Sequence, residues 1–188
     1  MATKRARLVV ALSGSPRKGA NTDAVLKQVL KGAAKAGART KFIRLADLAI
    51  KGCCACYYCH THNACAIKDD MTKVYAALKK ADAWVFGTPV YWFTMSAQLK
   101  APVDRLFALA FGPKKLRRGK RVAVVTLCGD DAAEAMGKPI FDVFAKGFPF
   151  LGVKFAGRLA LVGVERKDVA ERWADFRPAQ SLGARLAK

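Results

Sequence analysis

The sequence predicts an open, doubly wound α/β domain: five parallel strands in the order 2-1-3-4-5, with helices on both faces of the sheet. Three features predict it. Five short apolar runs alternate with stretches whose apolar residues recur at helical spacing. The runs are continuous rather than alternating, as in strands covered on both faces. Right-handed crossovers leave few other ways to arrange such a chain.

The first strand is read over Arg7 to Ser13, with Leu8 to Leu12 as its apolar run. From Thr22, the residues Val25, Leu26, Val29, Leu30 and Ala33 mark a helix that Gly37 ends. Thr40 to Leu45 is the second strand, followed by a long cysteine-rich loop at 52–66. Asp69 or Asp70 caps a helix carrying Met71, Val74, Tyr75 and Leu78 on one face. Ala83 to Gly87 is the third strand, and the loop "TPVYWFTM" leads into a helix through Leu99, Val103, Leu106 and Phe107 with Ser96 as its N-cap. Pro102 predicts a kink there or a later helix start, since proline inside a helix costs about 3 kcal/mol. Arg121 to Leu127 is the fourth strand, Ala132 to Lys146 a helix, Phe155 to Gly163 the fifth strand, and 168–187 a closing helix.

A length of 188 residues, 53% of them hydrophobic, supports one domain over 1–188 with a single core. "MATKRARLVVALSGSPR" imitates a signal peptide, but its apolar run is too short. The longest uncharged stretch, Ala83 to Leu99, is broken by Gly87 and Pro89, against a membrane span. Five of the six cysteines fall between Cys53 and Cys65, which predicts reduced thiols used as ligands or redox groups and a cytoplasmic location. A net charge of +20 raises a nucleic-acid partner. The basic residues are dispersed, however, and the one dense run, "PKKLRRGKR" at 113–121, reads as a solvated loop. Acidic electron-carrier proteins or phosphate-bearing ligands rank ahead of nucleic acid.

Such sheets bind ligands beyond the carboxyl ends of their strands, where the strand order reverses. The loops concerned lie at 13–22, 88–95 and 128–131. In "SGSPRKGANT", backbone N–H groups and the hydroxyls of Ser13, Ser15 and Thr22 can surround an anion, with charge from Arg17 and the following helix. A terminal phosphate fits. Gly14 and Gly19 have the separation of a Walker A loop, but Ala20 and Asn21 stand where Lys and Ser or Thr are required; G-x-G-x-x-G spacing is also absent. The plain alternative is a polar strand-to-helix turn capped by Asn21 or Thr22. Pro89, Val90, Tyr91 and Trp92 offer amides and aromatic faces to a flat heterocycle such as an isoalloxazine ring. Otherwise Tyr91, Trp92 and Phe93 belong to the core or a dimer contact, the preferred reading for Phe93. Cys128 and Gly129, at the end of the fourth strand, allow close backbone approach.

"GSPRKGANT", the cysteine run followed by "IKDDM", "ADAWVFGTPVYW" and "QLKAPVDR" occur in that order. Together they resemble the NADPH-dependent FMN reductase superfamily, specifically its iron-sulfur flavoprotein branch, over residues 7 to about 163. The resemblance implies a flavodoxin-like fold and an FMN cofactor. The FMN phosphate would be held by Ser13, Ser15, Arg17, Asn21 and Thr22. Its ring would lie against Pro89, Val90, Tyr91 and Trp92, with Cys128 and Gly129 nearby. Dimers or tetramers are implied too, bringing one subunit's cysteine loop near another's flavin. Pro102 and the bulky Trp92 depart from the family's pattern.

Cys53, Cys56, Cys59 and Cys65 form C-x2-C-x2-C-x5-C, the four thiolates a [4Fe-4S] cluster requires, and the spacing is similar to that of iron-sulfur flavoproteins. Cys54 is surplus, and His60 and His62 face solvent. Zinc on four cysteines, or on cysteines with His60 or His62, is an alternative, as is a disulfide or a vestigial loop. The expected function is an oxidoreductase passing electrons between FMN and either the cluster or an acidic ferredoxin-like donor, with a small-molecule acceptor. Two alternatives stand beside it: an NAD(P)H-dependent reductase of flavin or quinone without a cluster, and a zinc-stabilised nucleic-acid-binding protein. No catalytic side chain is assigned.

Overall fold

The computed structural model describes residues 5–114, 116, 118–129, 132–162 and 176–188. The order of elements is β1 (Leu8–Ser13), α1 (Asn21–Lys35), β2 (Arg39–Arg44), α2 (Met71–Lys80), β3 (Ala83–Tyr91), β4 (Thr94–Met95), α3 (Ala97–Arg105), α4 (Phe107–Phe111), β5 (Arg121–Leu127), α5 (Ala133–Gly147), β6 (Lys154–Leu161) and α6 (Arg177–Leu186). The five parallel strands lie in the order β2-β1-β3-β5-β6, which is the expected 2-1-3-4-5 path, and β4 pairs antiparallel with the end of β3. The fold is flavodoxin-like. Among the described residues no helix is long and apolar enough to cross a membrane.

Side-chain alternation along the strands sorts the core into two layers. Val10, Leu12, Trp84, Phe86, Val122 and Val124 pack with Met71 and Leu78 of α2, Leu99 of α3 and Phe141 and Phe144 of α5. Val9, Ala11, Ala83, Val85, Ala123 and Val125 pack with Val25, Leu26 and Val29 of α1 and Leu182 and Leu186 of α6. The central strands therefore read as continuous apolar runs because both faces are covered.

Three expectations are corrected and a fourth is refined. β3 does not end at Gly87 but runs to Tyr91 and turns at Trp92 and Phe93 into β4, so "TPVYWFTM" is a hairpin rather than a loop. Ser96 stands at the N-cap of α3 as expected, its carbonyl accepting from the Leu99 and Lys100 N–H groups, while its hydroxyl donates to the Gly14 carbonyl at 2.6 Å instead of bonding the first turn. α3 runs through Pro102, and the interruption comes at Leu106, before α4. The basic run at 113–121 is not wholly solvated: Lys120 is fully buried, its ammonium donating to the carbonyls of Leu78 (3.2 Å), Lys79 (2.8 Å) and Ala81 at the end of α2. Those carbonyls have no helical donor, which is the reason a charge is tolerated there. The part of the closing helix expected over 168–175 lies outside the described residues, as do Asp130 and Asp131.

Candidate functional site

Parallel pairing sets Ser13 opposite Gly87 and Pro89 opposite Leu127, so the carboxyl ends of β1, β3 and β5 are neighbours. The three loops singled out from sequence open on this edge.

The first loop is pinned from several directions. The Gly14 N–H donates to the Gly87 carbonyl at 2.8 Å, and a Cβ on Gly14 would stand 2.7 Å from Leu99 Cβ and 2.9 Å from Ser96 Oγ. Only glycine fits there. Ser15 Oγ accepts from the Arg17 N–H at 3.2 Å and donates to the Arg17 carbonyl at 3.3 Å, and Gly19 turns the chain at φ +71°. α1 begins at Asn21, with Ala20 as an N-cap that supplies no side-chain acceptor, so no capping side chain occupies its N-terminus. Asn21 and Thr22 are thus inside the helix and do not cap it. Ser13, Ser15 and Thr22 are buried, Asn21 is half-buried, and Arg17 is exposed.

Beneath the loop lies a feature absent from the sequence reading. Asp23 is buried in the first turn of α1. It accepts from the Ser13 hydroxyl at 2.6 Å and the Gly19 N–H at 2.8 Å, and it is ion-paired with Arg44 at the end of β2. Arg44 also donates to the Arg17 carbonyl at 3.1 Å. Burial alone would lower the Arg44 pKa, but the Asp23 and Asp47 carboxylates outweigh it and hold the pKa above its ordinary value. One signal could have found Asp23. It lies three residues before Leu26 and seven before Leu30, an acidic residue on the apolar face of its helix.

In the second loop Pro89 and Val90 are half-buried, whereas Tyr91, Trp92 and Phe93 are 44%, 91% and 58% exposed. Phe93 is therefore not a core residue of this chain. Trp92 and Phe93 have φ of +45° and +61° and form the two-residue turn between Tyr91 and Thr94. Such a turn ordinarily carries Asn-Gly. In the third loop Cys128 is buried, its N–H donating to the Leu161 carbonyl at 3.0 Å, and Gly129 is exposed.

The cysteine segment lies elsewhere. Cys53, Cys54, Cys56, Cys59 and Cys65 open on one cavity of about 260 Å³, walled also by Tyr57, Ile67, Asp104 and Phe107 and by no residue of the three strand-end loops. Left-handed φ values at Ala55 (+52°) and Tyr57 (+54°) let the short C-x2-C spacings curl around it. Among the described residues the non-glycine positions with positive φ are these two, Trp92 and Phe93; each costs on the order of 1–3 kcal/mol, and all four fall in the regions singled out for chemistry. Hydrogen bonds from the Tyr58 backbone and from Cys54 lower the Cys56 pKa, while burial raises that of Cys59. All the cysteines are free thiols. They do not meet at one point: among the described residues no three His, Cys, Asp or Glu side chains converge as ligands of a single ion. His60 and His62 are exposed as expected, although His60 stacks on Phe107 with centroids 5.3 Å apart and His62 on Tyr58 at 3.7 Å.

A flavodoxin-like sheet with a pinned first turn, an aromatic hairpin beside it and a separate thiol-lined cavity defines an α/β protein of the flavodoxin class. The chain belongs to the NADPH-dependent FMN reductase family, whose model matches residues 8–156. It is 42% identical over 123 residues to an iron-sulfur flavoprotein of Archaeoglobus fulgidus, covering 65% of this chain and 63% of the relative. It is 38% identical over 104 residues to one of Methanocaldococcus jannaschii, covering 55% and 54%. These matches span less than two thirds of either relative's length. Among solved structures, the NAD(P)H:quinone oxidoreductase from Methanothermobacter marburgensis superimposes with a TM-score of 0.74 at 18% identity, over 98% of both chains. An FMN-dependent NADH-azoreductase from Bacillus anthracis, in complex with FMN, gives 0.69 at 15% identity over 97% and 100%. Both show the same fold.

Proposed function

We propose that this chain is an FMN-dependent oxidoreductase of the iron-sulfur flavoprotein type. The observation that carries the reading is the pinned first turn, with a helix N-terminus that no side chain caps, set beside the hairpin at the ends of adjacent strands. In this reading Ser13, Ser15, Arg17, Asn21 and Thr22 form the phosphate cradle, Ser13 acting with Asp23 to hold its shape. Pro89, Val90, Tyr91 and Trp92 receive the ring, with Cys128 and Gly129 beside it. Cys53, Cys56, Cys59 and Cys65 hold a [4Fe-4S] cluster; a set of thiols spread around one cavity suits a cluster better than a single ion. When bound, FMN supplies one- or two-electron chemistry and the cluster a one-electron port. The protein binds, orients and shields.

The electron donor is NAD(P)H or an acidic ferredoxin-like carrier drawn by the +20 charge, and the acceptor is a small molecule. The chain works as a homodimer or homotetramer, because its cysteine cavity and its strand-end loops share no residue and a second copy would join them. The test is the visible spectrum of anaerobically purified protein, with FMN, iron and acid-labile sulfide measured on one sample. Flavin and cluster together support the reading, and protein that takes up no FMN from excess overturns it. Flavin without iron, bleached rapidly by anaerobic NADPH, supports a cluster-free NAD(P)H-dependent reductase instead. That second reading is favoured by a Bacillus subtilis relative described as a putative NAD(P)H-dependent FMN-containing oxidoreductase, 30% identical over 95 residues.

A further inference from the structure

One buried guanidinium holds both ends of the cysteine loop. Arg105, at the end of α3, has a side chain 1% exposed. Its Nη1 donates to the Lys51 carbonyl at 2.9 Å and its Nη2 to the Ile67 carbonyl at 3.1 Å, and these two residues flank the loop from Cys53 to Cys65 on either side. The same two nitrogens form a two-pronged pair with Asp69, at 2.9 and 3.1 Å. Asp69, its side chain 6% exposed, returns the contact by accepting from the Lys51 N–H at 2.9 Å and from the Met71 N–H at 3.1 Å, which ties the loop to the start of α2. Tyr75 Oη donates to the Arg105 carbonyl at 2.6 Å and fixes the helix end that carries the guanidinium.

We propose that the Arg105–Asp69 pair is a clasp that preassembles the cysteine loop and, by its charges, sets the reduction potential of the group held there. The proposal rests on the cluster reading above for its second half and on geometry alone for its first. Pinning Lys51 and Ile67 together removes the closure entropy of the segment between them, so the four thiols are gathered before anything binds. Charge-assisted, bidentate bonds are the strongest hydrogen bonds available for that purpose. The electrostatic half follows from position. Ile67 and Asp104 line the cavity, and the guanidinium touches the first and adjoins the second in sequence. Adding one electron to a cluster adds one negative charge, which Arg105 favours and Asp69 opposes, and both are shielded from solvent. Arg105 and Asp69 are positioning residues in this scheme and touch no reacting atom.

The test compares Arg105→Gln, Asp69→Asn and Arg105→Lys in the full chain. In chelator-treated, metal-free protein, hydrogen exchange of the amides over 52–66 is expected to quicken by roughly tenfold or more in Arg105→Gln and Asp69→Asn, since each loses charge-assisted bonds. In the iron-loaded protein titrated with dithionite, the cluster's midpoint potential is expected to fall in Arg105→Gln and rise in Asp69→Asn. A purely structural role would move both potentials in the same direction or leave both unchanged, and either result overturns the electrostatic half. Unaltered loop exchange overturns the clasp. If Arg105→Gln does not fold, Arg105→Lys decides: faster loop exchange with a near-native potential supports the proposal, and slow exchange with a lowered potential overturns it. Protein without iron in any form defeats the cluster reading, yet the exchange measurement still tests the clasp.

Discussion

Arg44, on the last position of β2, and Asp23, in the first turn of α1, form a buried ion pair directly beneath the first loop. Parallel register makes the pairing possible: Ser13 at the end of β1 lies opposite Arg44, and the same Ser13 hydroxyl reaches Asp23. In the proposed function this turn holds a phosphate, which a bare carboxylate beneath it would repel. The Arg44 guanidinium neutralises Asp23, whose carboxylate holds the Ser13 hydroxyl and the Gly19 N–H in place.

Removing one partner leaves the other charged and buried, which is costlier than lacking both. Asp23→Ala is expected to lower unfolding stability by about 3–5 kcal/mol and to weaken FMN binding. Arg44→Lys, which keeps a charge but loses the reach to the Arg17 carbonyl, should fall between it and the wild type. Urea unfolding and titration of FMN fluorescence quenching measure the two effects. Unchanged FMN affinity in Asp23→Ala would separate this pair from the cofactor site.

The strands and helices were legible because they follow from periodicity: continuous apolar runs mark strands covered on both faces, and Val25, Leu26, Val29 and Leu30 mark α1. The C-x2-C-x2-C-x5-C spacing is read as cluster ligands, and the structure sets those cysteines around one cavity without converging three of them on a single point. What stayed hidden depends on contacts distant in sequence. Asp23 meets Arg44 across 21 residues and Arg105 meets Asp69 across 36, and no local pattern pairs them. Lys120 was hidden for another reason: within a basic run its burial is invisible, because only the fold brings it under the end of α2. The hairpin at 91–94 was missed because its turn residues are aromatic, where turn chemistry calls for Asn or Gly.

Lys120 gives a prediction confined to stability. Its ammonium serves the last carbonyls of α2 and lies 6.0 Å from the Trp84 ring. Lys120→Ala removes the ammonium from the Lys79 and Ala81 carbonyls, the Leu78 carbonyl keeping the Trp84 Nε1–H at 3.1 Å, and opens a hole beside Trp84, with an expected loss of about 2–4 kcal/mol. FMN content per folded chain should be unchanged, because Lys120 lies at the opposite end of β5 from Leu127 and the third loop. Urea denaturation combined with flavin absorbance checks both parts.

Asp69 makes the cysteine loop sensitive to acid. Burial would raise its pKa, but the Arg105 guanidinium and the N–H groups of Lys51 and Met71 outweigh burial and hold it below the usual carboxylate range. A carboxylate depressed in the folded state contributes stability that is fully present above its unfolded value, about 3.9, and is lost as pH falls through the folded one. The ordering of residues 52–66 should therefore hold steady above roughly pH 5 and decline below about pH 4. Asp69→Asn should abolish that decline. Hydrogen exchange followed across this range is the measurement, and the same acid profile in Asp69→Asn would reject the assignment.

The aromatic hairpin carries backbone strain at an exposed turn. Trp92 and Phe93 occupy left-handed backbone at a turn that asparagine and glycine adopt far more readily, and Trp92 is 91% exposed, so packing within the chain returns little for the strain. Such an arrangement persists where the side chains contact something outside the chain's own core. Replacing both residues, Trp92→Asn with Phe93→Gly, is expected to stabilise the fold by about 1 kcal/mol, equivalent to raising the unfolding midpoint by about 2–4 °C for a chain of this size. On the proposed function, in which the hairpin meets the flavin of a dimer or tetramer, the same double variant should bind FMN less tightly or assemble less fully. Calorimetry, flavin titration and sedimentation on one preparation test this. A variant that is more stable and otherwise unchanged would show that the hairpin serves neither.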